Sequence, residues 1–202
     1  MATTAQAQEI RTWRGTETPD YTVVEELEPG VEIRDYPEMV MAAVTVEGDK
    51  ERASSRAFRK LAGYIFGGNS GSQKIAMTTP VVSKPATMIQ YAGMPVMDTE
   101  VPERSETWTQ AFILPSEYAV SDLPSPEDGD IRIFRTQPYR VATLAFQGAG
   151  TPSQYAEARA TLARKLEEEG IEHADVPEYA GYDAPWVDAH KKRHEVHYRL
   201  ED

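Results

Sequence analysis

Residues 31–48 (VEIRDYPEMVMAAVTVEG) and 131–148 (IRIFRTQPYRVATLAFQG) can be laid over each other without a gap. The overlay pairs Val31 with Ile131, Ile33 with Ile133, Met41 with Val141, Ala42 with Ala142, Val44 with Leu144, Val46 with Phe146 and Gly48 with Gly148. Each copy runs into an amphipathic segment that opens on a capping residue. A duplication of this kind implies two similar half-structures about a pseudo-twofold axis, and the cleft between such halves is where a ligand is first sought.

At 202 residues the chain suits one domain with a full core, and no linker divides it. Residues 1–18 are polar and aperiodic and read as a flexible N-terminal tail; residues 19–202 read as the domain. With 40% hydrophobic residues, no apolar run of spanning length and no charged-then-apolar leader, the chain is expected to be soluble and unexported. It contains no cysteine, which excludes disulfides, thiolate metal sites and cysteine nucleophiles and agrees with a cytoplasmic setting. Acidic residues outnumber basic ones by 33 to 21, for a net charge of -12. Binding to nucleic acid needs a basic face and is not expected. So acidic a surface suits either a high-salt cytoplasm, where repulsion is screened over about 3 Å at 1 M, or an ordinary acidic soluble protein.

Residues 21–27 and 31–36 alternate around Pro29-Gly30 and predict a hairpin. Residues 39–46 form an almost continuous apolar run, as a strand buried on both faces would. Asp49 is placed to cap a helix whose apolar face is Ala53, Ala57, Phe58, Leu61, Ala62 and Ile65, ended by Gly67-Gly68. Thr151-Pro152-Ser153-Gln154 is a capping box with proline at the first helical position, followed by the stripe Tyr155, Ala158, Leu162 and Leu166 and a stop at Gly170. Residues 74–82, 108–114 and 195–200 read as further strands. The sum is an α+β domain with a mostly antiparallel sheet.

The chain has no GxSxG elbow, HExxH, P-loop or GxGxxG. Its histidines are His173, His190, His194 and His197. His190 and His194 would share one face of a helix, but the adjoining KKR triplet opposes a bound cation, and His197 falls in a strand. Surface or structural roles are the ordinary reading of these histidines, and a single axial ligand to an iron already held by a porphyrin is a better use of one than a dedicated metal site. Met88, Met94, Met97 and Tyr91, in the long connection after Lys84, suit either loop packing or contact with a flat hydrophobic ligand. Phe58, Ala62 and Ile65, at the end of the first helix, read first as core packing, and the small residues there, with Gly67-Gly68, would also leave room for such a ligand.

The strings VEIRDYP, GYIFGGN, KIAMTTPV, GYDAPW and KRHEV, in this order and spacing, resemble the SOUL haem-binding protein family over nearly the whole chain, roughly residues 21–200. The resemblance implies a duplicated α+β unit forming a distorted antiparallel β-barrel flanked by two helices, related to effector-binding domains of the gyrase-inhibitor type. It also implies binding of haem b or other porphyrins. One iron-ligating histidine of the family falls immediately before the tyrosine of EIRxY; here that position is Asp35. A pocket between the first helix and the segment after GYDxP maps to Phe58, Ala62, Trp186 and Val187, with Ile65 beside them and His190 as the substitute iron ligand. Arg56 and Lys60, with Lys191, Lys192 and Arg193, would offset the propionates. Roughly 40 ligand atoms at about 0.3 kcal/mol each supply around 12 kcal/mol, so ligation is not needed for tight binding. The expected protein is a monomeric, cytoplasmic, non-covalent haem or tetrapyrrole binder that buffers or carries its ligand. The alternatives are a haem-modifying or haem-degrading enzyme, and a small-molecule effector module in the same cleft.

Overall fold

The computed structural model describes residues 10–27, 30–86 and 107–201; Met88, Met94, Met97 and Tyr91 lie outside them. The described chain opens, within the segment read as a tail, on a short hairpin of β1 (Thr12–Trp13) and β2 (Thr16–Glu17). Trp13 Nε1 donates to Asp183 at 3.1 Å and Thr79 N to Glu17 O at 2.8 Å, which ties the hairpin to distant parts of the chain.

The first copy of the repeat contains β4 (Val31–Tyr36), which pairs with β3 (Thr22–Leu27), and then β5 (Val40–Glu47). Helix α1 (Lys50–Ile65) follows, with the Asp49 carboxylate accepting from Arg52 N at 3.0 Å. After β6 (Val81–Pro85) and β7 (Thr107–Ile113), the second copy supplies β8 (Arg132–Arg135) and β9 (Tyr139–Gln147). Helix α2 (Pro152–Glu169) starts on the Thr151–Gln154 capping box and ends at Gly170, whose φ of 66° is the left-handed conformation glycine favours. The chain closes with β10 (Glu178–Gly181) and β11 (Arg193–Arg199).

Residues 74–80, read as the start of a strand, are not one; pairing begins at Val81. Their polar groups are taken elsewhere: Ile75 N donates to Ile65 O, the Thr78 hydroxyl to Ile113 O and the Thr79 hydroxyl to Tyr182 O. Pro80 has no N–H to offer a ladder.

Nine strands form one antiparallel sheet in the order β3-β4-β9-β11-β10-β6-β7-β5-β8. Among the described residues the end strands β3 and β8 do not pair with each other, so the sheet is open and the expected barrel is not closed by hydrogen bonds. The sheet is nevertheless curled. Tyr36 and Val141, toward one end of the order, share a core cluster with Met41, Ala43, Ala111 and Ile113 from the other.

The two copies exchange strands. β4 of the first pairs with β9 of the second, and β8 of the second pairs with β5 of the first. Applying the repeat offset to Ile33↔Ala142 gives Ile133↔Ala42, which is the observed register of the other ladder. Around the β6–β10 seam, β4-β9-β11-β10 therefore mirrors β8-β5-β7-β6. Helix α1 lies on β5 and β7, burying Ala57, Leu61 and Ile65 against Val44 and Phe112. Helix α2 lies on β9 and β11, burying Ala158, Leu162 and Leu166 against Ala142 and Val196. Among the described residues no helix is long and apolar enough to cross a membrane.

Candidate functional site

Along β4 the two-residue period sends Val31 and Ile33 toward α2, and Arg34 and Tyr36 to the inside of the curl. Arg34 is thereby sealed in the interior, where it needs charged partners. Its Nη1 reaches Glu195 Oε2 at 3.1 Å and its Nε reaches Glu32 at 2.7 Å. Glu195, equally enclosed on β11, also accepts from Arg193 at 2.5 Å and Tyr182 OH at 2.8 Å, and meets His197 Nε2 at 2.8 Å. Burial alone would push this carboxyl up. The His197 hydrogen bond and the charges of His197, Arg34 and Arg193 outweigh it and hold Glu195 well below the usual carboxylate range. Glu178 is a second buried carboxylate depressed in the same way, by Lys84 at 3.0 Å and Arg199 at 3.0 Å.

This network underlies an open cleft of about 730 Å³ where β3, β4, β9 and β11 end together. Tyr36 forms its inner wall. Its ring centroid lies 5.2 Å from Tyr21 and 5.3 Å from Tyr139, the latter ring stacked at 18°. Two guanidiniums complete the lining. Arg140, opposite Asp35 in the β4–β9 ladder, grips it with Nε–Oδ1 at 2.6 Å and Nη2–Oδ2 at 2.8 Å, and this hydrogen bonding holds the Asp35 carboxyl below its ordinary value. Arg199 lies 3.8 Å from the Tyr139 ring centroid while bound to Glu178. Half-buried aromatic rings beside two guanidiniums, one paired with Asp35 and the other with Glu178, suit a ligand with both apolar surface and carboxylates.

The pseudo-twofold carries this cleft onto a second cavity of about 370 Å³. Arg135 stands there for Asp35, Met39 and Val40 for Tyr139 and Arg140, and Ile113, opposite Met41, for Arg199, opposite Val141. The floor that is aromatic and cationic in one cleft is aliphatic in the other. Asp20 and Pro37 line both.

The residues singled out from the sequence fall in other places. Phe58 packs edge-on against Phe112 at 5.3 Å, Ile65 is core, and Ala62 is half-buried on the same helix. Arg56 is exposed; Lys60 is bound by Asp128 at 2.7 Å and Asp130 at 2.9 Å. Trp186 is 86% exposed, Val187 is half-buried, and His190 is exposed on a single 3-10 turn (Ala189–Lys191). That turn is held through Arg14, which donates to Lys191 O at 3.1 Å and pairs with Asp183 at 2.8 Å, whereas α1 rests on β5 and β7. His190 and His194 do not share a helical face. His194 belongs to β11, with Nδ1 2.9 Å from Tyr155 OH and Nε2 3.1 Å from Gly148 O. Arg193 points into the Glu195 network. Arg34, Arg140 and Glu195 carry no local signal in the sequence: Arg34, for instance, alternates with Glu32 and Tyr36, a pattern that a solvent-facing strand would equally show.

The family model described as "SOUL heme-binding protein" matches residues 16–199. "Heme-binding protein 2" of Mus musculus is 32% identical over 184 residues, covering 90% of this chain and 81% of that protein. The Homo sapiens protein of the same name is 30% identical over 177 residues, covering 85% and 80%. Among solved structures, the EcmrR C-terminal domain superposes with a TM-score of 0.62 at 12% identity, covering 85% of this chain and 97% of that one. A hydrolase from Listeria innocua gives 0.55 at 13%, covering 85% and 91%. At such identity these two structures show a shared fold and nothing further.

Proposed function

The chain belongs to the SOUL heme-binding protein family, and on that premise we propose that it binds haem or a related tetrapyrrole non-covalently in the Tyr21–Tyr36–Tyr139 cleft. The observation that carries this reading is the stacked Tyr36–Tyr139 pair with Arg140 and Arg199 beside it. The half-buried Tyr21 and Tyr139 offer aromatic contact to a macrocycle at the mouth of the cleft, and the guanidiniums offer partners to its carboxylates. The cleft volume falls within the span usual for ligand sites. Among the described residues no histidine lines the cleft, and its tyrosines and arginines fit the ring and its carboxylates. Packing on the order of 12 kcal/mol suffices without an axial bond. Haem b is the proposed ligand, and reversible binding of this kind suits a protein that buffers or carries it in the cytoplasm.

One observation favours a second location. Trp186 projects into solvent close in sequence to the exposed His190. In that reading Trp186 and Val187, with the half-buried Phe58 and Ala62, form the apolar face over the core residue Ile65, His190 ligates iron, and Arg56, with Lys60 if it leaves Asp128 and Asp130, meets the propionates. Hemin titrations of Tyr139→Ala, Arg140→Ala, Trp186→Ala and His190→Ala, followed at the Soret band, separate the two. The cleft variants should weaken binding roughly tenfold or more, the size of losing one good contact, and the other two should leave it unchanged. Absence of a saturable Soret change in the unaltered protein would overturn both locations.

A further inference from the structure

We propose that Asp35 is a built-in competitor in this cleft: its carboxylate occupies on Arg140 the place that a ligand carboxylate takes, and so sets the affinity for anionic ligands. The inference rests on the reading that the cleft binds a tetrapyrrole. The two-point grip of Arg140 on Asp35, at 2.6 and 2.8 Å, is the geometry in which a guanidinium holds any free carboxylate. Both side chains line the cleft, and they are 47% and 44% exposed, so the pair can open without stranding a charge in the interior. Ion pairs this exposed are weak and exchange readily. Arg199 differs, being stacked on Tyr139 and bound to the buried Glu178, which fixes its position.

The fold itself does not require the pair. At the pseudo-equivalent position, Arg135 stands opposite Val40 and turns instead to Glu38 at 3.0 Å, and the ladder continues there undisturbed. When a ligand carboxylate arrives, Arg140 exchanges one carboxylate for another and Asp35 is released to water. The net gain from that contact is therefore smaller than a free arginine would give. Removing the Asp35 charge should strengthen binding, the opposite of what removing a supporting residue does.

The test titrates the unaltered protein, Asp35→Asn, Arg140→Ala and the double variant with hemin and with iron octaethylporphyrin, which has no carboxylates, at fixed salt. Asp35→Asn should bind hemin roughly two- to fivefold more tightly, the size of an exposed charge contact, and bind the carboxylate-free ring as before. The double variant should match Arg140→Ala alone. Hemin affinity that falls or stays level in Asp35→Asn, while the unaltered protein binds and Tyr139→Ala does not, overturns the competitor role and leaves the cleft reading standing. Hemin binding that ignores Tyr139→Ala overturns the cleft reading and the competitor role with it.

Discussion

Arg34 and Glu195, 161 residues apart in the chain, meet inside the curled sheet at 3.1 Å, their side chains 1% and 0% exposed. Removing one member leaves the other enclosed with only part of its partners, Glu32 for Arg34 and Arg193 with His197 for Glu195, and the loss of a charged hydrogen bond of this kind typically costs about 1.5–3 kcal/mol. Arg34→Met and Glu195→Gln should each lose stability of that size in urea denaturation followed by circular dichroism. A loss under about 1 kcal/mol would mean the interior relaxes to admit water around the survivor.

The same carboxylates set the response to acid. Glu195 and Glu178 hold their protons less tightly folded than unfolded, where 4.5 is the ordinary value. Their contribution is complete above that value and is lost as pH falls below it, because the unfolded chain takes up protons first. Urea midpoints should be flat from pH 7 to about 5 and fall steeply below about 4.5. Glu178→Gln should flatten that fall; an unchanged slope would remove Glu178 from the account.

Lys50, at the start of α1, has its ammonium 3.8 Å from the Tyr179 ring centroid and 4.0 Å from that of Tyr155. Burial and then the nearby Arg159 lower it to about 8. The unfolded chain keeps that proton to higher pH, so stability should rise as pH climbs above about 8. Carbon-13 NMR of isotopically labelled lysine should show Lys50 titrating near 8; a midpoint near its ordinary 10.5 would refute this.

Gly150 has φ of +70°, and a Cβ there would lie 2.7 Å from His194 Cε1. His194 cannot retreat freely, since both ring nitrogens are engaged by Tyr155 and Gly148. Gly150→Ala should cost about 1–3 kcal/mol from strained backbone and contact together. In Gly150→Ala with His194→Ala the combined loss should fall short of the sum, because the obstacle is gone. Strict additivity in thermal unfolding would show that backbone strain alone is responsible.

Local chemistry was readable from the sequence where it is local in the fold. Asp49, Thr151 with Gln154, and Gly170 act on backbone within a few residues, and each sits where its spacing placed it. The β3–β4 hairpin was legible for the same reason. Residues 74–80 misled because a β-rich string says nothing about whether its amides find a ladder, and theirs are spent on the end of α1 and on β2. The four-residue β10 is too short to carry a period. The cleft depended on distant pairings, Asp35 with Arg140 and Arg34 with Glu195, 105 and 161 residues apart. Such pairings become visible only once the strand order is known, and strand exchange between the copies is what creates them.

That exchange also governs the sequence of events during synthesis. When the ribosome has completed α1, it has delivered β5 but neither of the strands that flank it, β7 and β8, and β4 has no neighbour on its second edge. The outer edge of β5 and the second edge of β4 fill only when residues 132–147 emerge, and β9 itself remains half-covered until β11 arrives. The nascent protein therefore holds one edge of β4 and one edge of β5 unpaired until the second copy has been made, and its core stays incomplete until β11 follows.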